Sequence, residues 1–298
     1  MANPAQGKVV VHGGLEKAAS TFLQQRIFPN VPGFRYFPEL RPSLLELGKC
    51  HWSHLDETVV AEIGGLAGSN AILSSEGLVC VEHAYDGQFT QRSCLTIGNL
   101  AHLLGHSLHL VVILRRQDTA IDSMIRYKQR YLSDPMSFLV DFPAKRRGVS
   151  TMWDYRSLYS RLLQSYNYYH HLAPAYDQIG PDRITLLPYE ALVDRPESFF
   201  AGLSEVFDTD IARLSEQSAE KVNARSEKYS DLPDAYVPMS HFVRRLNNLS
   251  GYLFEKLFPS RQSALTDGMK SEIMDIFRDS NRQLSDLFKL DLDAYGYY

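Results

Sequence analysis

The stretch VVVHGGLEKAASTFLQQ, Val9–Gln25, constrains this chain more than any other. A β-branched run enters a glycine pair, then come a lysine, two alanines, a serine, a threonine and a helical pattern. That order reads as a strand feeding a helix through a close turn. The first amides of such a helix have no intrahelical partner, and with the helix dipole they form an anion site. Gly13 and Gly14 let the chain turn tightly. Ala18 and Ala19 are small enough for an anion to reach the backbone, Ser20 and Thr21 add hydroxyl donors, and Lys17 adds a mobile charge. The stretch departs from GxxxxGK[ST], in which the hydroxyl residue follows the lysine directly and holds Mg²⁺. Here two alanines intervene, so that metal-bearing arrangement is lost. Taken alone, the loop is equally compatible with an ordinary strand–helix turn carrying a surface lysine.

The rest of the chain has the organisation such a unit needs. Short apolar runs alternate with longer helical patterns, which predicts an α/β fold with a P-loop-like central parallel sheet flanked by helices. Strands are expected near Lys8–His12, Ala71–Ser75, His109–Leu114 and Arg183–Leu187, with GLVCVE (Gly77–Glu82) competing for the second place. Helices are expected near Thr21–Phe28, Cys94–Leu104, Thr119–Tyr131, Trp153–Tyr176, Pro196–Phe207, Ser240–Leu257 and Asp267–Phe288. Two long loops or lids are expected, Ser133–Ser150 and Ser226–Pro238. Over 298 residues this gives one domain, with a core from about 8 to 210 and a helical part from about 211 to 298. A chain 44% hydrophobic and 22% charged can bury a full core. Its formal charge of −4 provides no global basic field, so nucleic acid is not an expected partner and any anion site must be local. Cys50, Cys80 and Cys94 cannot all pair and form no CxxC, which fits a reducing compartment. With no secretory pattern and no apolar run longer than LHLVVIL, a cytoplasmic protein without stable membrane insertion is expected.

A second segment bears on the first. VVILRRQDTAIDSMIRY, Val111–Tyr127, is a buried-strand pattern ending in Arg115, with Ser123 eight residues later on the following helix. Both side chains can reach one anion at the carboxyl edge of the sheet, where open α/β sheets bind ligands. Arginine offers bidentate phosphate recognition and serine a hydroxyl donor. The plainer alternative is a structural ion pair and an ordinary helix serine.

As an ordered pair, VHGGLEKAASTFLQ and VVILRRQDTAIDS resemble the 5′-phosphosulfate loop and the 3′-phosphate motif of the sulfotransferases that use 3′-phosphoadenosine 5′-phosphosulfate (PAPS). RITLLPYEALVDRPESFFAGLSEVF is similar to the late strand, Tyr-Glu-x-Leu and helix of that family, and ILSSEGL to a strand ending in Ser-Ser-Glu in bacterial members. The resemblance runs from about Val9 to Phe207. It departs where the family's proline after the arginine is Gln117 and the acidic residue or asparagine before it is Arg116. KVNARSEKYS is loosely similar to a segment closing over the 3′-phosphate, with Arg225 and Lys228 as donors.

The resemblance implies PAPS as donor substrate, bound by Gly14, Lys17, Ala18, Ala19, Ser20, Thr21, Arg115, Ser123, Tyr189 and Arg225, with Tyr189 near the adenine. It implies sulfuryl transfer to a hydroxyl or amine of a carbohydrate or small-molecule acceptor. A sulfuryl group carries less negative charge than a phosphoryl group, so Lys17 and loop amides can stabilise the leaving phosphate and no metal is required. Glu76, from the Ser-Ser-Glu pattern, is the expected general base, with His83 as the competing candidate and Ser75 as a candidate acceptor-orienting group. Two other readings stay open: a P-loop kinase-like phosphotransferase, which lacks a GKS or GKT here, and a non-catalytic nucleotide-binding relative. His102 and His106 stand at a spacing that can bind zinc but have no evident third ligand. His51 and His54 beside Cys50 fare no better, and YNYYHH (Tyr166–His171) reads mostly as packing. Lys145, Arg146 and Arg147 read as a solvated loop or a basic lid facing an anionic acceptor.

Overall fold

The computed structural model describes residues 7–14, 17–76, 78–79, 89–132, 163–211, 213 and 265–298. A five-stranded parallel sheet organises them, with β1 (Val9–Gly14), β2 (Arg35–Tyr36), β3 (Ala71–Glu76), β4 (Leu108–Leu114) and β5 (Ile184–Pro188) in the order β2-β3-β1-β4-β5. The loop-bearing strand is therefore central, between β3 and β4. The expected α/β architecture and the four expected strands are present. Ala71–Glu76 is the strand of its region, and the described residues of the competing run, Leu78 and Val79, are not extended. The edge strand β2 is not expected from sequence, because two residues are too few to show a period.

Parallel strands buried on both faces need apolar residues on both. Val9, Val11, Leu73, Leu110, Val112 and Leu114 face one core, and Val10, Ile72, Val111, Ile113 and Leu187 the other. Val9, Val10 and Val11 are wholly buried, and each such side chain stabilises by roughly 1.5–3 kcal/mol.

The first helical segment is α1 (Ser20–Phe22), which widens into a π turn over Leu23–Ile27 and tightens over Phe28–Asn30. Short helices α2 (Arg41–Glu46) and α3 (Glu57–Gly64) follow. The Asp56 carboxylate caps α3 by accepting from the Thr58 N–H at 2.8 Å. Next come α4 (Phe89–Leu104), α5 (Gln117–Leu132), α6 (Tyr168–Ile179), α7 (Tyr189–Asp194), α8 (Pro196–Phe207) and α9 (Asp267–Phe288). Helix α9 buries Ile273, Phe277, Asn281, Leu284 and Ser285, one face at helical spacing, and Thr266 caps its start.

Several helices differ from expectation: α2, α3 and α7 are not expected from the sequence, and α4 begins at Phe89 rather than Cys94. Of the run expected over Trp153–Tyr176, residues 153–162 lie outside the described residues, and the remainder breaks near Asn167, whose side chain accepts from the His170 N–H and restarts the helix as α6. The cap outweighs continuation because Asn competes with helical backbone bonding. The helix expected at Ser240–Leu257, both long loops, Cys80 and the basic triplet lie outside the described residues.

Two fully buried histidines make the fold sensitive to acid. Burial pulls His12 and His171 from 6.5 down to about 4. His171 is held by Ser93 Oγ at 3.0 Å and the Gln164 carbonyl at 3.2 Å. A base with a depressed folded pKa binds protons preferentially when unfolded, so its stabilisation is present above the unfolded pKa and lost below it. Urea titrations should show stability falling as pH drops from about 6.5 towards 4, by at most about 3 kcal/mol per histidine. His171→Leu should flatten part of that slope; an unchanged slope would contradict the neutral assignment of His171.

Candidate active site at the carboxyl edge of the sheet

The β1 register sets the site. Gly13 lies opposite Ser75 and Gly14 opposite Glu76, so the turn leaves the sheet beside the end of β3. A Cβ on Gly13 would come within 2.9 Å of Val79 Cγ2, so glycine is required for this close packing. The turn then takes a conformation L-residues avoid: Lys17 has φ of 69° and Ala19 of 62°. Ala18 is buried, and Ser20 is buried with no hydrogen-bond partner for its hydroxyl among the described residues. Leu15 and Glu16 lie outside the described residues.

On the other side of β1, Arg115 follows the last residue of β4. Its guanidinium donates through Nη1 to the Lys17 carbonyl and through Nε to Thr119 Oγ1 at 3.2 Å. It also lies over the Tyr189 ring, 4.7 Å from the centroid. Lys17, Arg115 and Tyr189 come from segments far apart in sequence and meet at this edge. Ser123 is half-buried on α5, on the helix that Arg115 introduces. Thr21 is half-buried in the first helical turn. Glu76 is half-buried at the end of β3, and Ser75 is fully buried with its hydroxyl donating to the Glu76 carbonyl at 3.4 Å. His83, Arg225 and Lys228 lie outside the described residues.

Beneath the loop is a polar cluster that the sequence pattern does not single out. His12 Nδ1 and Ser74 Oγ are 2.8 Å apart, and Gln24 Nε2 donates to the same hydroxyl at 2.9 Å. Ser74 thereby ties β3 to β1 and to the helical segment after the loop. His12 Nε2 is buried without a partner among the described residues, and the ring sits 5.4 Å from that of Phe28. Isolated polar residues among apolar ones give no sequence signal until their register is known. The pattern around Tyr168 likewise reads mostly as packing, yet its hydroxyl receives the Arg115 N–H at 3.1 Å and donates to the Arg115 carbonyl at 2.7 Å. His102 stacks on Trp52 at 3.8 Å, a packing role. Among the described residues no group of three or more His, Cys, Asp and Glu is placed to hold a metal ion. No described helix is long and apolar enough to cross a membrane.

No family model and no curated protein matches the chain. Solved structures do. A sulfotransferase from Alicyclobacillus acidocaldarius superposes with a TM-score of 0.51 at 12% identity, covering 98% of this chain and 99% of that one. The sulfotransferase domain from the curacin biosynthetic pathway gives 0.48 at 14% identity, over 92% and 97% of the two chains. The first of these likenesses shows that the chain has the fold of a bacterial sulfotransferase.

The left-handed turn has a measurable cost. An L-residue there loses about 1–2 kcal/mol, and glycine avoids that while giving up roughly 0.5–1 kcal/mol of chain entropy. Ala19→Gly should therefore raise the unfolding free energy slightly, by no more than about 1 kcal/mol. Ala19→Val should lower it by more than about 1 kcal/mol. Chemical denaturation of both variants checks the sign, and a stabilising valine would be incompatible with the left-handed turn.

Proposed function

We propose that this protein is a sulfotransferase that moves the sulfuryl group of PAPS to a hydroxyl or amine of a carbohydrate or other small acceptor. The observation that carries the proposal is the convergence of Lys17 and Arg115. One guanidinium joins the loop after β1 to the end of β4, beside a buried Ser20 hydroxyl that lacks a partner among the described residues. Buried polar groups are normally satisfied, so an orphaned hydroxyl in an anion-type loop fits a ligand oxygen. The fold shared with a bacterial sulfotransferase supports the same class.

In this reading the roles divide as follows. The 5′-phosphosulfate lies against the loop, where Lys17, Ser20, Thr21 and the amides from Ala18 onward neutralise charge. Gly14 and Ala19 keep the backbone accessible. Arg115 and Ser123 take the 3′-phosphate, with Arg225 as a further donor, and Tyr189 takes the adenine. In the transfer step the acceptor oxygen or nitrogen forms a bond to sulfur as the bond from sulfur to the phosphate oxygen breaks. The acceptor's proton passes to the Glu76 carboxylate, and 3′-phosphoadenosine 5′-phosphate leaves with the electron pair. Charge grows on that leaving oxygen, so Lys17 acts more strongly on the transition state than on the bound donor. We further propose that the whole chain acts as one domain in the cytoplasm.

Calorimetry provides the first test. 3′-Phosphoadenosine 5′-phosphate should bind without divalent metal and more tightly than AMP or ATP, each contact to the added phosphate contributing roughly 1.5–3 kcal/mol. Equal affinity for AMP would remove the case for Arg115 and Ser123. Kinetics supply the second. Arg115→Ala should chiefly weaken donor binding and Lys17→Ala chiefly lower kcat; a Lys17→Ala variant altered only in KM would contradict its role. Glu76→Gln should lose roughly 10²–10⁴-fold in turnover while keeping donor affinity. A fully active Glu76→Gln beside an inactive His83→Asn would move the base to His83.

A further inference from the structure

The arginine motif is positioned by a part of the chain far from it in sequence. Arg115 and Arg116 belong to neither β4 nor α5, and of their backbone groups only the Arg116 carbonyl, which accepts from the Ala120 N–H at 2.9 Å and the Thr119 hydroxyl at 2.9 Å, is held by the start of α5. Beyond that, each of three successive residues is gripped by a different helix. Tyr168 of α6 bonds the N–H and carbonyl of Arg115. Glu190 of α7 accepts the Arg116 N–H at 2.9 Å. Asn281 of α9 exchanges two amide bonds with the buried Gln117 side chain, at 2.7 and 3.1 Å.

Two of those grips converge on one residue. Tyr297 donates its hydroxyl to the second oxygen of Glu190 at 2.9 Å, and its carbonyl accepts from Asn281 Nδ2 at 2.8 Å. The segment that presents it, 290–298, hooks back after α9. Leu292 and Tyr297 are fully buried anchors, and Gly296 turns the chain at φ of 71°. An added Cβ there would sit 3.4 Å from Arg116 Nη1, so the hook lies against the motif. Full burial, then the Glu190 carboxylate, pushes the Tyr297 phenol well above its ordinary pKa, so it remains a donor across the working range.

We propose that Tyr297 is a positioning residue for the donor site, holding Arg115 where it discriminates a 3′-phosphorylated nucleotide from one without that phosphate. Arg115 and Tyr189 stack together on the loop side of the motif, while Gln117 bonds Asn281 of α9 and Glu190 bonds the hook through Tyr297. Gln117 thus fastens the motif from outside at the position where the sulfotransferase pattern has proline. This inference rests on the PAPS reading of the site.

The test titrates 3′-phosphoadenosine 5′-phosphate and AMP into the full-length chain and its variants by calorimetry. Tyr297→Phe keeps the ring and removes the bond to Glu190. Its affinity for the 3′-phosphorylated ligand should fall about tenfold while AMP binding stays within about twofold. Tyr298→Phe, which removes only a neighbouring hydroxyl bonded to Ser285, should leave both affinities unchanged. A merely structural role would lower the thermal midpoint and leave the ratio of the two affinities intact. That unchanged ratio in Tyr297→Phe would overturn the positioning role and leave the donor reading standing. A wild-type protein that does not prefer the 3′-phosphorylated ligand would overturn both. If Tyr297→Phe does not fold, Asn281→Ser reads the same ratio through the Gln117 arm: a fallen ratio supports the positioning role, and an unchanged one overturns it.

Discussion

The bond from the Arg115 guanidinium to the Lys17 carbonyl is the contact around which this edge of the molecule is arranged. It joins the turn after the central strand to the end of its neighbour β4, and so brings the two segments that carry Lys17 and Arg115 together. Arginine suits the task because its planar fork can serve several acceptors at once. Nη1 goes to the loop and Nε to Thr119, the face lies on Tyr189, and Nη2 has no partner among the described residues. A lysine at 115 would supply the charge without that geometry. Strand order supplies the rest: with β3 and β4 on opposite sides of β1, Glu76 and Arg115 flank one turn.

Which parts of this are legible in the sequence follows from their range. The apolar alternation of β1, β3, β4 and β5 is written in short runs, and each run forms a strand within a residue or two at either end. The edge placement of Glu76, Arg115 and Tyr189 is legible because each ends or directly follows a strand, and parallel strands deliver such positions to one edge; Lys17 lies three residues beyond β1, in the turn that leaves it. Edge strand β2 and the break at Asn167 are not, since two residues carry no period and a side-chain cap overrides one. The clamp on the arginine motif is invisible for another reason. Gln117 and Asn281 are 164 residues apart, and a buried amide pair leaves no mark on hydrophobic periodicity.

Electrostatics favour a local anion site over a global one. The chain carries a net −4, yet three of its fully buried titratable groups are held in neutral forms. His12 and His171 are neutral through burial, and Tyr297 is held as a phenol. Buried charge near the sheet edge is therefore paired where it occurs: Arg116 makes two bonds to Asp118, at 2.8 and 3.0 Å. An uncompensated buried anion there would repel any anion several ångströms away, because protein screens less than water.

The distribution of backbone strain points to the same turn. Four non-glycine residues among those described have positive φ: Lys17, Ala19, Asp208 and Lys289. Asp208 and Lys289 end α8 and α9, where a left-handed residue satisfies helix carbonyls and needs no further explanation. Lys17 and Ala19 end nothing; they precede α1, where an extended residue with a capping side chain is the usual solution. The chain forgoes that cap, and Ser20 keeps a buried hydroxyl without a partner among the described residues. Each departure costs about 1–3 kcal/mol and persists only when surrounding structure enforces it. The enforcing contacts are the close packing at Gly13, the Ser74 cluster under the helix and the Arg115 bond. Strain and an unsatisfied donor within four residues, held on three sides, leave the amides of the turn fixed before any ligand arrives. The ordering cost then falls on folding, and an anion that meets those amides need not reorganise them.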